Sequence, residues 1–140
     1  MNIKILIMGL PGAGKTYLAE RLYKPLNCAW YNADRVREMA NDWEFSPTAR
    51  LRQARRMSNI ANFEIENGRS VICDFVCPLK ETREIFDADC TVWVNTIDQG
   101  RFEDTNRLFE PPKDVQFTIT HHMKDKEIIE LANSIQMLCM

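Results

Sequence analysis

The sequence has little excess of one charge, because 18 Lys and Arg residues face 20 Asp and Glu residues and leave a net charge of −2. This balance gives no indication of nucleic-acid binding through bulk electrostatics. No stretch approaches the roughly 20 consecutive apolar residues of a membrane span, and no repeat, linker or low-complexity tract interrupts the chain. We therefore expect a single domain over residues 1–140, with neither nucleic acid nor a membrane as its partner.

Regular cysteine spacing is also lacking. The number of cysteines is odd and no CxxC pair occurs among them; they are Cys28, Cys73, Cys77, Cys90 and Cys139. Reduced thiols in a cytoplasmic protein are therefore expected. A zinc site built from Cys73 and Cys77 with His121 and His122 would match no usual ligand spacing, so none is predicted.

Apolar runs alternate with helical patterns along the chain. The N-terminal run MNIKILIMGL has no small-residue cleavage site and leads into a glycine loop, which indicates a buried strand rather than a signal peptide. Strands are predicted at 3–8, 28–31, 71–75, 91–95 and 116–120, helices at 15–23, 36–40, 47–67, 79–86 and 125–138, and an irregular loop at 100–112. This order predicts an α/β fold with a five-stranded parallel sheet flanked by helices.

The first predicted strand and helix are joined by a full match to GxxxxGK(S/T), formed by Gly9, Leu10, Pro11, Gly12, Ala13, Gly14, Lys15 and Thr16. Glycines let such a backbone wrap around an anion, and the helix adds the positive end of its dipole. Lys15 is expected to bridge the β- and γ-phosphates of ATP, and Thr16 to hold Mg²⁺. A plain strand-to-helix turn is the alternative. With this motif, the predicted architecture is the three-layer P-loop NTPase fold.

Ligands of parallel α/β folds bind beyond the carboxyl ends of the strands, so residues after the second and third strands are candidates for the site. Asp34 could accept a hydroxyl proton or hold the metal, and Arg37 could hold an anion. Asp74 ends an apolar strand, where a carboxylate needs a metal or cation partner. The alternatives are that Asp34 only caps a helix and that Asp74 is only a hydrogen-bond acceptor.

The helix at 47–67 carries several arginines. Most of them are expected on a solvated face, including Arg52, Arg55 and Arg56. Arg50 differs, because it lies in the first turn, where the helix dipole disfavours a cation, and faces inward. A bound anion would explain this placement, and so would a buried ion pair with Asp34 or Asp42.

Taken together, these motifs resemble the adenylyl-sulfate kinase family, which phosphorylates the 3′-hydroxyl of adenosine 5′-phosphosulfate. The resemblance runs from Ile3 to about Arg83, with a weaker echo at 109–120. It rests on the sequences GLPGAGKT, NADRVR at 32–37, FSP at 45–47 followed by Arg50 and Arg55, and FVCP at 75–78 with Arg83. It implies acceptor contacts from Asn32, Arg37, Phe45, Arg50, Gln53 and Phe75.

The chain departs from the family pattern at several positions. The family's Asp-Gly-Asp motif is Asn32-Ala33-Asp34 here, Gln53 replaces an Asn, and Val76-Cys77 replaces Ile-Ser. After the fourth strand the family carries a long basic lid. This chain has only a short lid segment, residues 98–112, in which Arg101 and Arg107 are the candidates for nucleotide contacts.

The resemblance implies a kinase that transfers the γ-phosphoryl group of MgATP to a small anionic hydroxyl acceptor, with adenosine 5′-phosphosulfate as the best single choice. Lys15 and Asp34 would be the catalytic groups, and Thr16, Asp34 and Asp74 would face Mg²⁺. The alternatives are a kinase for another hydroxyl compound or nucleotide, and a nucleotide-binding protein with little turnover. A homodimer stays open, since a second subunit could supply cover that the short lid segment lacks.

Overall fold

The computed structural model describes residues 2–140, in which strands and helices alternate. The strands are β1 (Lys4–Met8), β2 (Ala29–Asn32), β3 (Val71–Asp74), β4 (Cys90–Val94) and β5 (Phe117–Ile119). The helices are α1 (Lys15–Leu22), α2 (Ala33–Ala40), α3 (Pro47–Glu66), α4 (Lys80–Phe86), α5 (Glu103–Leu108) and α6 (Asp125–Cys139).

The five strands form one parallel sheet in the order β2-β3-β1-β4-β5. Side chains of β1 alternate between two buried layers, so that Ile5 and Ile7 pack towards α1 and α6, and Leu6 and Met8 pack towards α3 and α4. A strand covered on both faces needs a continuous apolar run, which is the pattern that predicted it. The three-layer fold with a five-stranded parallel sheet is therefore confirmed.

Local sequence signals explain where the long helix α3 begins and ends. The Ser46 side chain accepts a hydrogen bond from the Ala49 amide at 3.2 Å, and Pro47 occupies the first helical position. Gly68 follows the helix with a φ of 78°, and its amide donates to the Ile65 carbonyl. The left-handed residue that ends the helix is thus a glycine, which has no Cβ to oppose that conformation.

Two predicted elements differ from the structure. The segment predicted as the loop 100–112 contains the short helix α5, whose first turn carries Glu103 and Asp104. Its polar composition hid the helix, since acidic residues near a helix N-terminus stabilise it without an apolar periodicity. Helix α2 begins at Ala33 rather than at Val36, because Asn32 caps it by accepting from the Arg35 amide at 3.0 Å.

All five cysteines are free thiols, and four of them are buried. Within residues 2–140, none of the helices combines the length and apolar character that crossing a membrane would require.

Candidate active site

The loop between β1 and α1 has the backbone of an anion-binding turn. Gly12 and Gly14 have φ values of 87° and 109°, a region that residues with side chains rarely adopt. A Cβ placed on Gly9 would lie 2.4 Å from the Val94 carbonyl oxygen of the neighbouring strand. Glycine is therefore required at this point by close packing against the sheet as well as by backbone conformation.

Lys15 is the first residue of α1 and projects into the same region. Its Nζ donates to the Leu10 carbonyl oxygen at 3.0 Å, so that the side chain folds over the loop. Burial lowers the pKa of Lys15 to about 8, while the charges of Asp74 and Asp34 act to raise it. A partly desolvated ammonium beside the positive end of a helix is a strong site for a phosphate group.

Asp74, the last residue of β3, is the buried carboxylate of this region, with 1% of its surface exposed. Its Oδ1 accepts from the Trp30 indole nitrogen at 2.6 Å, and its Oδ2 accepts from the Thr16 hydroxyl and the Asn32 amide, each at 3.0 Å. Burial raises the pKa of Asp74, and these three donors oppose that shift. The carboxylate is thus held by hydrogen bonds from one strand, β2, and one helix, α1.

The oxygens of Thr16 and Asp74 fit Mg²⁺ in chemistry. Both are hard oxygen donors, they lie 3.0 Å apart, and Thr16 is exposed at the start of α1. Within residues 2–140, no three His, Cys, Asp or Glu side chains form a cluster suited to a metal. Mg²⁺ in nucleotide sites usually takes one or two protein ligands and completes its shell with phosphate and water.

Asp34 lies in the first turn of α2 and is exposed. It lines the same cleft as Lys15 and is close enough to favour the charged form of that lysine. The helix is capped by Asn32, so the alternative that Asp34 serves as the cap is wrong. Its carboxylate has no hydrogen bond to another described residue and is available to a ligand.

Facing the loop across the cleft is a wall formed by α2, the 41–46 turn and α3. Arg37 is buried and its Nη1 donates to the carbonyl oxygens of Asp42 and Glu44, at 3.1 and 3.0 Å. The Phe45 ring lies 4.4 Å from the Arg37 guanidinium carbon and 5.6 Å from that of Arg50. Arg50 also donates through Nε to the Phe45 carbonyl at 3.0 Å.

The arginines of α3 are arranged differently from the prediction. Asp42 binds Arg52 at 2.8 Å and Arg56 at 2.9 Å, so these two arginines do not form a merely solvated face. Their hydrogen bonds hold the pKa of Asp42 well below its usual range. Asp42 is therefore engaged elsewhere, and within residues 2–140 no carboxylate lies within ion-pair distance of Arg50. The ion-pair alternative for Arg50 is wrong, which leaves its charge available in the cleft.

The cleft has a volume of about 620 Å³ and gathers most of the predicted site residues. Those lining it are Pro11, Gly12, Lys15, Asn32, Asp34, Arg37, Phe45, Arg50, Gln53, Asp74, Phe75 and Arg101. Gly9, Leu10, Ala13, Gly14 and Thr16 adjoin it in the loop and the first turn of α1. Gln53 is held in place, since its Nε2 donates to the Ala33 carbonyl at 3.2 Å.

Comparison with known proteins identifies the family. The family model described as adenylylsulphate kinase matches residues 1–99 of the 140. The chain belongs to the adenylylsulphate kinase family. The match ends where the lid segment begins, so the part of the chain that departs most from the family pattern lies beyond it.

Two curated relatives bear the same family name, and a solved structure has the same fold. A probable adenylyl-sulfate kinase from Aeropyrum pernix is 37% identical over 93 residues, covering 60% of this chain and 49% of the relative. One from Bacillus subtilis is 30% identical over 86 residues, covering 57% and 43%. The chain thus spans about half the length of these curated relatives. An APS kinase from Mycobacterium tuberculosis, in complex with AMPPNP and APS, has the same fold, with a TM-score of 0.79 at 20% identity over 96% of this chain and 98% of that one.

The two lid arginines of this adenylylsulphate kinase family member occupy different environments. Arg101 lines the cleft, and its charge contributes to lowering the pKa of Lys15, although burial of Lys15 is the larger cause. Arg107 is 70% exposed and pairs with Asp104 at 2.6 Å. Of the two predicted nucleotide contacts, only Arg101 is placed beside the phosphate loop.

Sequence reasoning missed Trp30 and Trp43. Trp43 lines the cleft, and Trp30 binds Asp74 beneath it. Trp30 precedes Asn32 by two residues on β2, and side chains two apart on a strand share a face. That spacing was the available signal, because it places the indole on the side of the sheet that Asn32 and Asp74 occupy.

Proposed function

We propose that this chain is an ATP-dependent phosphotransferase that carries the γ-phosphoryl group of ATP to the 3′-hydroxyl of adenosine 5′-phosphosulfate. The observation that carries the proposal is a single cleft of about 620 Å³ in which the phosphate loop faces a cationic and aromatic wall. The phosphate loop suits a nucleoside triphosphate, and the opposite wall suits an anion attached to an aromatic base. The family membership supports the same reaction class.

Each side of the cleft has a distinct part in the proposed reaction. Lys15 and the loop amides would hold the β- and γ-phosphates and stabilise the charge that develops there. Thr16 and Asp74 would hold Mg²⁺, which when bound supplies further charge neutralisation at the phosphates. On the acceptor side, Phe45 would stack on the base, and Arg50 and Arg37 would face its anionic group.

The transfer step needs a group that removes a proton from the acceptor. Asp34 would accept the proton of the acceptor hydroxyl while the hydroxyl oxygen forms its bond to the γ-phosphorus. The bond from the γ-phosphorus to the bridging oxygen then breaks, and ADP leaves with its charge beside Lys15. Asp34 fits this role because it is exposed, lines the cleft and lies near Lys15.

A panel of acceptors incubated with MgATP tests the proposal. Adenosine 5′-phosphosulfate, AMP, nucleosides and small polyols would each be incubated with the protein, and products identified by mass spectrometry. The expected result is a phosphorylated product from adenosine 5′-phosphosulfate, absent with Lys15→Ala. A product from a different acceptor would assign the alternative of another small-molecule kinase. ATP binding without any product would instead favour the alternative of a nucleotide-binding protein with little turnover.

A further inference from the structure

The Asp74 carboxylate is buried and accepts hydrogen bonds at both of its oxygens. Oδ2 faces the Thr16 hydroxyl, whereas Oδ1 is held at 2.6 Å by the Trp30 indole nitrogen. We propose that Trp30 is a positioning residue for the metal–nucleotide site, acting through Asp74. This inference rests on the proposed function, since it concerns the side of the cleft that would hold the Mg²⁺ of MgATP.

The arrangement follows from the strand register. Asn32 and Asp74 are register partners and are the last residues of the adjacent parallel strands β2 and β3. Trp30, the partner of Ile72, lies two residues before Asn32 on β2. Trp30 and Asn32, two residues apart, project from the same face of β2, the face that α1 covers. Their two N–H donors therefore converge on one carboxylate from the same strand.

The Trp30 contact determines which way Asp74 turns. With Oδ1 occupied by the indole, Oδ2 remains for Thr16, whose hydroxyl donates to it at 3.0 Å. One lone pair of the Thr16 hydroxyl accepts a hydrogen bond from the Asn32 amide nitrogen at 3.2 Å, and the other lone pair is left for a cation. Without the indole, the carboxylate could rotate away from Thr16, and both oxygens expected to face Mg²⁺ would lose their orientation.

Packing alone would not require a tryptophan at this position. Trp30 is only partly buried on the edge strand β2 and contacts Tyr23, with ring centroids 5.2 Å apart. A phenylalanine would keep an aromatic ring against Tyr23 while removing the N–H donor. Trp30→Phe therefore separates the hydrogen bond from the packing.

The test compares binding of a non-hydrolysable ATP analogue with and without Mg²⁺, measured by calorimetry. In Trp30→Phe we expect affinity in Mg²⁺ to fall about tenfold, the lower end of the usual effect of losing a partner of a metal ligand. Affinity without Mg²⁺ should stay within about twofold of wild type, since the loop and Lys15 are untouched. Trp93→Phe, which removes an indole outside the cleft lining, is the matched control and should change neither value.

A second comparison shows whether Trp30 acts through Asp74. If it does, Trp30→Phe adds little to the loss already caused by Asp74→Asn, so the two effects are not additive. Equal losses with and without Mg²⁺, a lowered melting temperature or additive effects would show a packing role and overturn the inference. If the wild-type protein binds no nucleotide, both the proposed function and this inference fail. If Mg²⁺ raises the nucleotide affinity of the wild type and of Trp30→Phe by the same factor, only this inference fails.

Discussion

At the scale of single residues, Lys15 shows how burial and ligand chemistry compete at one nitrogen. Burial lowers its pKa to about 8 in the free protein. A bound phosphate favours the charged ammonium and so raises the pKa in the complex. Nucleotide binding must therefore take up a proton when the pH exceeds the pKa of the free form.

We predict that nucleotide affinity is flat from pH 7 to about 8 and then falls by up to about tenfold per pH unit, as expected for one proton. The dissociation constant of a non-hydrolysable ATP analogue, measured from pH 7 to 9.5, checks this. Lys15→Arg is the control, because its guanidinium stays charged throughout and should remove the slope whatever its absolute affinity. Parallel profiles for the two proteins would assign the titration to another group.

Asp34 carries the second prediction at this scale. Asp34→Asn should lower the rate of phosphoryl transfer at least about a hundredfold, because a general base contributes factors of this size. Nucleotide binding should persist, since the phosphate loop does not use Asp34 in its own hydrogen bonds. Single-turnover kinetics with labelled ATP measure the first quantity and calorimetry the second. Transfer within a few-fold of wild type would leave Asp34 without a role in proton removal.

Asn32 stands where the family's Asp-Gly-Asp motif has its first aspartate, and the structure explains this difference. Asn32 donates to Asp74 Oδ2 at 3.0 Å while its own oxygen caps α2. A carboxylate in its place would face the buried Asp74 carboxylate directly, and two such neighbours cannot both ionise easily. Asn32 thus gives Asp74 a hydrogen-bond donor at a position where an aspartate would place a second carboxylate. The motif showed the substitution, but not the residue across the strand that accounts for it.

At the scale of elements, the turn between α2 and α3 is held by ion pairs and hydrogen bonds of three arginines. Asp42 binds Arg52 and Arg56 of α3, and Arg37 of α2 donates to the Asp42 and Glu44 carbonyls. Arg50 is free of this network and uses only Nε on a protein acceptor, the Phe45 carbonyl. Its two terminal nitrogens have no hydrogen bond to any residue within 2–140, so α3 leaves them available to a ligand in the cleft.

We predict that Arg50→Ala raises the KM for the anionic acceptor at least about tenfold, as the loss of a charged hydrogen bond would. The KM for ATP should change by less than about twofold, because Arg50 lies on the wall opposite the phosphate loop. Steady-state kinetics with each substrate varied provide both values. A lowered melting temperature with unchanged kinetics would point instead to a structural role.

The elements that could be predicted from sequence are those with strong local signals. β1 has its apolar run, the loop has its glycines, and α3 has Ser46, Pro47 and Gly68 at its ends. Helix α5 has no such signal and was missed. For the site, β-strand ends located Asp74 and Asn32, but the partners of Asp42 and Trp30 depend on tertiary packing, which leaves no fixed spacing in the sequence.

At the scale of the whole molecule, the lid segment connects the two sides of the cleft. At one end, Gly100 lies against the phosphate loop, because a Cβ at this position would lie 2.9 Å from the Pro11 carbonyl oxygen. Within the segment, the Gly100 amide donates to Asn106 Oδ1 at 2.8 Å, and Asn106 Nδ2 donates to the Gly100 carbonyl at 2.9 Å. At the other end, the Glu110 amide donates to the Pro78 carbonyl at 2.7 Å. The short segment thus packs against the phosphate loop at Gly100 and is hydrogen-bonded to Pro78 at its other end.

The two arginines of the lid segment lie in different surroundings. Arg101 lines the cleft near Lys15, whereas Arg107 is committed to Asp104 in an exposed pair of the kind that contributes little. Arg101→Ala should therefore weaken nucleotide binding about five- to tenfold, consistent with one charged contact, and Arg107→Ala should leave it within about twofold. Calorimetry measures both, and hydrogen exchange should show residues 98–112 gaining protection on nucleotide binding only when Arg101 is present. Equal effects of the two substitutions, or no gain in protection in wild type, would mean that this segment does not cover the nucleotide.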